Sequence, residues 1–194
     1  MGLLSDSKII EYVKKGLIYI ENFDPKYIER DDGKYEGKIN PAGYNLTLNN
    51  HLKVYTEFPL DMKKENPTKD IIIPEKGLVL QPGILYLGSV NEYIKADPCL
   101  NTSIEGRSSV ARLGMAVHIT AGMGDPGFEG RYTLEIKVTH PLRIYPNVPV
   151  CQIMFTTVEG EVIHPYNGKY QKSKDTTASR LFKDEVFDED KKII

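Results

Sequence analysis

Residues 131–138 alternate strictly between polar and apolar side chains. Tyr132, Leu134, Ile136 and Val138 fall on one face, and Arg131, Thr133, Glu135 and Lys137 on the other. A period of two marks a half-buried strand, so Glu135 sits on its polar face. Just upstream, 115–121 is rich in β-branched residues and predicts another strand. Between the two, 122–130 holds four glycines and a proline. That composition predicts a loop with special backbone angles, one that lets a ligand approach the main chain closely. Ahead of all three, glycines at 106 and 114 bracket about two helical turns that carry Arg107, Ser108, Ser109 and Arg112. A helix start offers free N–H groups and positive dipole to an anion. Ser108 and Arg112 share one helical face. Arg107 and Ser109 can reach a phosphate as fork and hydroxyl donors. The plain alternatives are a surface helix with solvated arginines and a solvated strand glutamate.

The rest of the chain reads as short strands. Ser5 caps a helix over 6–15 that ends at Gly16, with Ile9, Ile10 and Val13 as its apolar stripe. A short strand at 18–20 and a charged surface loop at 24–37 follow. In 41–48, alternation places Tyr44, Leu46 and Leu48 on one face. Further strands are predicted at 52–55, 70–73, 77–80 and 84–88, the last two joined by the turn 81–83. A polar loop covers 62–69, and strands at 142–145, 148–155 and 161–163 come after the central run. Regular spacing of short strands indicates a sandwich or barrel. The segment from 168 is polar and is expected to be mobile.

At 194 residues, one domain spanning 1–194 is the default. The formal net charge of -2 argues against a general nucleic-acid binder and leaves a small anion as the partner of the local arginines. Cys99 and Cys151 have no CxxC spacing, so neither a disulfide framework nor a cysteine zinc site is expected. No signal peptide and no bilayer-length apolar run is present, and the expectation is a cytoplasmic protein without membrane contact.

The segments GRSSVARLG (106–114), HITAG (118–122), DPGFEG (125–130) and TLEI (133–136) occur in order, with PAGYNL (41–46), QI (152–153) and PYN (165–167) around them. As an ordered set, they resemble the dCTP deaminase family, which shares its fold with the trimeric dUTPases. The resemblance covers roughly 3–185 and implies a mainly β, dUTPase-like distorted β-barrel or jelly-roll with a few short helices, one of them N-terminal. It also implies a homotrimer with active sites between subunits, Ser108 and Arg112 coming from one chain and Glu135 from the next. Asn45 stands where relatives often have Asp, which puts any metal role there in doubt.

Exchanging the 4-amino group of cytosine for oxygen needs a nucleophilic water and proton transfers to the leaving ammonia. Many base deaminases activate that water on zinc with an H-x-E…P-C-x-x-C signature, which this chain lacks. His51, His118, His140 and His164 are scattered and read as structural or surface residues. A zinc-free route then rests on a positioned carboxylate, Glu135. The resemblance gives Ser108 and the Ala121 carbonyl the water, and gives Arg112 the task of fixing Ser108 and Glu135 and favouring the ionised carboxylate. It also places Arg107, Ser108 and Ser109 on phosphate oxygens, closed over by Tyr166 and Lys169 of the tail. Asp125 takes the sugar 3′-hydroxyl, and backbone near Thr133 and Leu134 reads the base edge. Gln152 joins the substrate contacts. Ser173 stands where the family usually has Gln, and Gln171 is its candidate substitute. Mg²⁺ is expected to travel with the triphosphate, and dTTP is left open as an inhibitor.

The expected reaction is dCTP to dUTP and ammonia. Its alternatives are dUTP hydrolysis alone, with Asp125 activating water against the α-phosphorus, or both steps in one site, giving dUMP and diphosphate. Bifunctional relatives typically carry A-G-[aromatic]-[aliphatic]-Asp; here Met123 and Gly124 fill the last two places before Asp125. Ordinary dUTPases are apolar where this chain has Glu135, and 169–181 lacks their glycine- and phenylalanine-rich tail motif. A regulatory nucleotide binder on this fold would have no need of Glu135.

Overall fold

The computed structural model describes residues 2–29 and 35–187. Its largest sheet is antiparallel and built around one long strand, Gly43–Tyr55. The segments expected at 44–48 and 52–55 are the two halves of this strand, separated by a register shift between Leu48 and Leu52. The first half pairs with Pro149–Thr157, and the second with Thr68–Ile72 and Tyr86–Val90. On one side the sheet continues through Thr133–Val138 to Met115–Ala116. On the other it continues through Leu100–Gly106 to Met123–Gly124. Both edges thus come from one short stretch of chain.

Strand pleating puts the expected apolar faces into a single core. Tyr44, Leu46, Leu48, Leu134, Ile136, Ile153 and Phe155 are completely buried. The N-terminal helix runs Asp6–Lys14, with Ser5 accepting from the Lys8 amide and Gly16 at φ 73° just past its end. It buries Ile9 on this core.

Several local expectations give way to tertiary pairing. The helix after Gly106 is a single turn, Ser108–Ala111, because Gly106 ends a strand instead of opening a helix. The strand predicted over 115–121 stops at Ala116, since the chain must leave that edge to reach the other. The 77–88 hairpin does not form. Leu78–Leu80 pairs with Leu142–Ile144 instead, because both edges of Tyr86–Val90 are already taken. Residues 161–163 are not a strand, and Ile163 is 78% exposed. Part of the expected loop 24–37 is the pair Tyr27–Glu29 and Tyr35–Gly37, with 30–34 outside the described residues. Among the described residues no helix is long and apolar enough to cross a membrane.

Phe155 is buried on the strand that joins the two halves of the sheet. Phe155→Ala is expected to cost about 3–5 kcal/mol, read as a lower urea midpoint at unchanged slope.

Candidate active site

The glycine loop is fixed first by its backbone. The Gly122 carbonyl accepts from the Ile104 amide at 2.7 Å, and Gly124 lies opposite Thr102. The chain then turns, with the Phe128 amide donating to the Asp125 carbonyl at 3.0 Å. Gly127 has φ 90°, and a side chain there would meet Pro165 Cβ at 2.8 Å. This close approach lets the Tyr166 amide donate to Pro126. Asp125 is exposed at the head of that turn.

Glu135 comes from the neighbouring strand, where its side chain is 28% exposed. His118 Nδ1 lies 2.7 Å from Glu135 Oε2. With the carboxylate ionised, that nitrogen carries the proton and donates. His118 Nε2 is buried and unpartnered among the described residues. His118 is thus the direct neighbour of the candidate carboxylate, which corrects its reading as a structural or surface residue. Met115 faces Val138 and Ala116 faces Lys137, and His118, two residues past the end of that pairing, still reaches Glu135. The pairing was readable only once the register was known.

The tail supplies a cover. The Gln171 side chain accepts from the Glu129 amide and donates to the Gly127 and Tyr166 carbonyls. The Lys172 amide donates to Glu129 and the Arg131 amide to the Ser173 carbonyl. The Thr177 amide reaches the Thr133 hydroxyl at 3.1 Å. His51 stands 2.8 Å from both Asp70 and Asp175, tying the tail to the long strand. Lys53 and His51 hold the Asp70 carboxyl below its usual range. Residues 168–187 thus lie along the molecule, and 188–194 of the expected tail fall outside the described residues.

Under this cover is a cavity of about 470 Å³, lined among others by Ala121, Asp125, Thr133, Glu135, Tyr166 and Ser173. These six of the expected site residues are brought together; the others lie elsewhere in the chain. Ser108, Ser109 and Arg112 are exposed on the one-turn helix. Arg107 donates to the Pro149 carbonyl. Arg112, expected beside the Glu135 of a neighbouring copy, makes no contact with Glu135 of its own chain, whose partner is His118. Lys169 pairs with Asp184 instead of pointing at the cavity. The Leu134 side chain is wholly buried, so only its backbone can meet a ligand. Gln152 stands between Glu105 and Asn45 and accepts from Asn40. Gln171 spends its amide on the loop, and the Ser173 hydroxyl bonds within the tail. Among the described residues no three His, Cys, Asp or Glu side chains are grouped to hold a metal ion.

The family model described as dCTP deaminase-like matches residues 3–158. The chain belongs to that family. A Leptospira biflexa protein called "dCTP deaminase, dUMP-forming" is 55% identical over 149 residues, covering 77% of this chain and 85% of the relative. A Clostridium beijerinckii protein of the same name is 46% identical over 182 residues, covering 94% and 98%. The crystal structure of 2′-deoxycytidine 5′-triphosphate deaminase from Agrobacterium tumefaciens superposes with TM-score 0.60 at 19% identity. It covers 81% of this chain, which spans about half that protein's length (48%), and the likeness shows the shared fold.

Gln171→Leu removes the three side-chain bonds and leaves one amide and two carbonyls without them. Tryptic cleavage at Lys172 and Lys174 is expected to accelerate roughly tenfold, with global unfolding little changed.

Proposed function

We propose that this chain converts dCTP and two waters into dUMP, ammonia and diphosphate within one site. The observation that carries this reading is two carboxylates, Glu135 and Asp125, lining one cavity. The "dUMP-forming" name shared by relatives that match nearly the whole chain favours it over a reaction that stops at dUTP. Glycine at 124, in place of the aliphatic residue of the bifunctional pattern, is what speaks for the deaminase-only reading.

Glu135, its geometry held by the His118 N–H, takes a proton from the water attacking C4 and returns protons to N3 and the departing amine. Ala121, whose carbonyl would hold that water, lines the same space. Ser108 and Arg112, exposed here, are supplied to the site of a neighbouring copy in a homotrimer, along with the phosphate donors Arg107 and Ser109. Main-chain atoms at Thr133 and Leu134 read the base, and Asp125 takes the sugar hydroxyl. For the second step Asp125 also orients water against the α-phosphorus, with diphosphate leaving. Substrate arrives as its Mg²⁺ complex. Tyr166 and Ser173 close over it, and Lys169 joins them on release from Asp184.

With dCTP as substrate, ammonia and pyrophosphate are followed separately. Both are expected; ammonia with accumulating dUTP supports the deaminase-only reading, and pyrophosphate from dUTP without ammonia from dCTP defeats the proposal. Glu135→Gln is expected to lower ammonia release by about 10²–10⁴-fold while calorimetry still detects nucleotide binding. His118→Phe should lower kcat for ammonia release, and His118→Asn, which restores a donor, should recover part of it.

A further inference from the structure

The departure at Gly124 has a structural counterpart. A Cβ added to Gly124 would sit 2.2 Å from the Tyr132 hydroxyl and 2.4 Å from Thr102 Oγ1. The space beside residue 124 is therefore filled from across the loop by a phenol. That phenol is part of a directional chain. Thr102 Oγ1 donates to the Gly124 carbonyl at 3.0 Å. A carbonyl only accepts, so the threonine proton is committed there. The Tyr132 hydroxyl, 2.5 Å from Thr102 Oγ1, must then be the donor into it. Thr102 and Tyr132 are both buried.

The accepting carbonyl belongs to the peptide that bears the Asp125 amide. Pairing with Leu100–Gly106 ends at Gly124, so this bond is the last constraint before the turn. Burial pushes the Tyr132 phenol up to about 12, reinforced by the nearby Asp125 charge, so it stays a donor across the working range. Phe128, 4.7 Å away between ring centroids, packs the phenol from the loop side. Tyr132 borders the same cavity as Glu135 and Asp125, but alternation turns its side chain inward, away from the Glu135 carboxylate.

We propose that Tyr132 is a positioning residue for Asp125, acting through Thr102 and the Gly124 carbonyl, and that it sets the rate of diphosphate release separately from deamination. This rests on the two-step reading above. Gly124 and Tyr132 are then a matched pair: the hydroxyl relay fixes the aspartate where an aliphatic residue before it would do so by packing.

The test uses the full chain with dCTP, measuring kcat and KM for ammonia and for pyrophosphate, and dUTP as a released intermediate. Tyr132→Phe and Thr102→Val are each expected to lower kcat for pyrophosphate release roughly ten- to a hundredfold, with dUTP accumulating and kcat for ammonia release within about twofold of the unaltered protein, while KM for dCTP rises because Asp125 also takes the sugar hydroxyl. Thr102→Ser keeps the relay and should retain pyrophosphate release. The Tyr132→Phe/Thr102→Val double variant should be no slower than either single one. Unchanged ammonia release shows that each variant is folded; if Tyr132→Phe does not fold, the Thr102→Ser and Thr102→Val pair decides. A parallel fall of both kcat values, no fall in either, or equal damage from Ser and Val at 102 overturns the relay while leaving the two-step reading intact. An unaltered protein that releases ammonia without pyrophosphate overturns both.

Discussion

Curling of the main sheet is the constraint from which the site follows. Seven strands in hydrogen-bonded succession end at Met115–Ala116 on one edge and Met123–Gly124 on the other. Laid flat, their six spacings would part the edges by roughly 29 Å. The seven steps from Ala116 to Met123 span at most about 25 Å. The sheet must curl until its edges can be tied, and the tie is the segment that carries His118 and Ala121. Asp125 follows directly after it, and Glu135 stands on the strand beside the departing edge. The tie that the fold demands and the residue just after it thus both border the cavity. Two cavity carboxylates end up with different neighbours: an imidazole for Glu135, a glycine turn for Asp125.

Glycines on this path have separate physical tasks. Gly127 takes a left-handed conformation and lets Pro165 and Tyr166 lie against the loop. Gly124 is bounded by hydroxyls and has no room for a methyl group. The first task concerns backbone angle and the second concerns volume, so a change at either position would be felt differently.

The cover over the cavity is held by another kind of force. Its contacts include amide, hydroxyl and carboxylate bonds to the rim of the sheet, with the buried Thr176 donating to the His51 carbonyl. Segments held this way open at lower cost than core strands. Such a cover can admit a nucleotide and exclude water around it without disturbing Phe155 or Leu134 beneath.

Local periodicity made much of this legible from residues alone. The alternation over 131–138 determined which side chains enter the core and left Glu135 on the polar face. Ser5 and Gly16 marked the N-terminal helix nearly to the residue, and the glycine density of 122–130 announced the loop. The ordered motifs pointed to the family. Partnership was not legible, because it depends on register between strands far apart in sequence. Leu78–Leu80 chose Leu142–Ile144 because its sequence neighbour was already paired on both sides. His118 met Glu135 because the short antiparallel pairing at Met115–Ala116 delivers the next residues beside that strand, and Tyr132 met Thr102 because a curled sheet put two distant segments around one buried space. A chain written in periods of two and 3.6 determines which face each residue shows; only the curling and pairing of the sheet decides what that face meets.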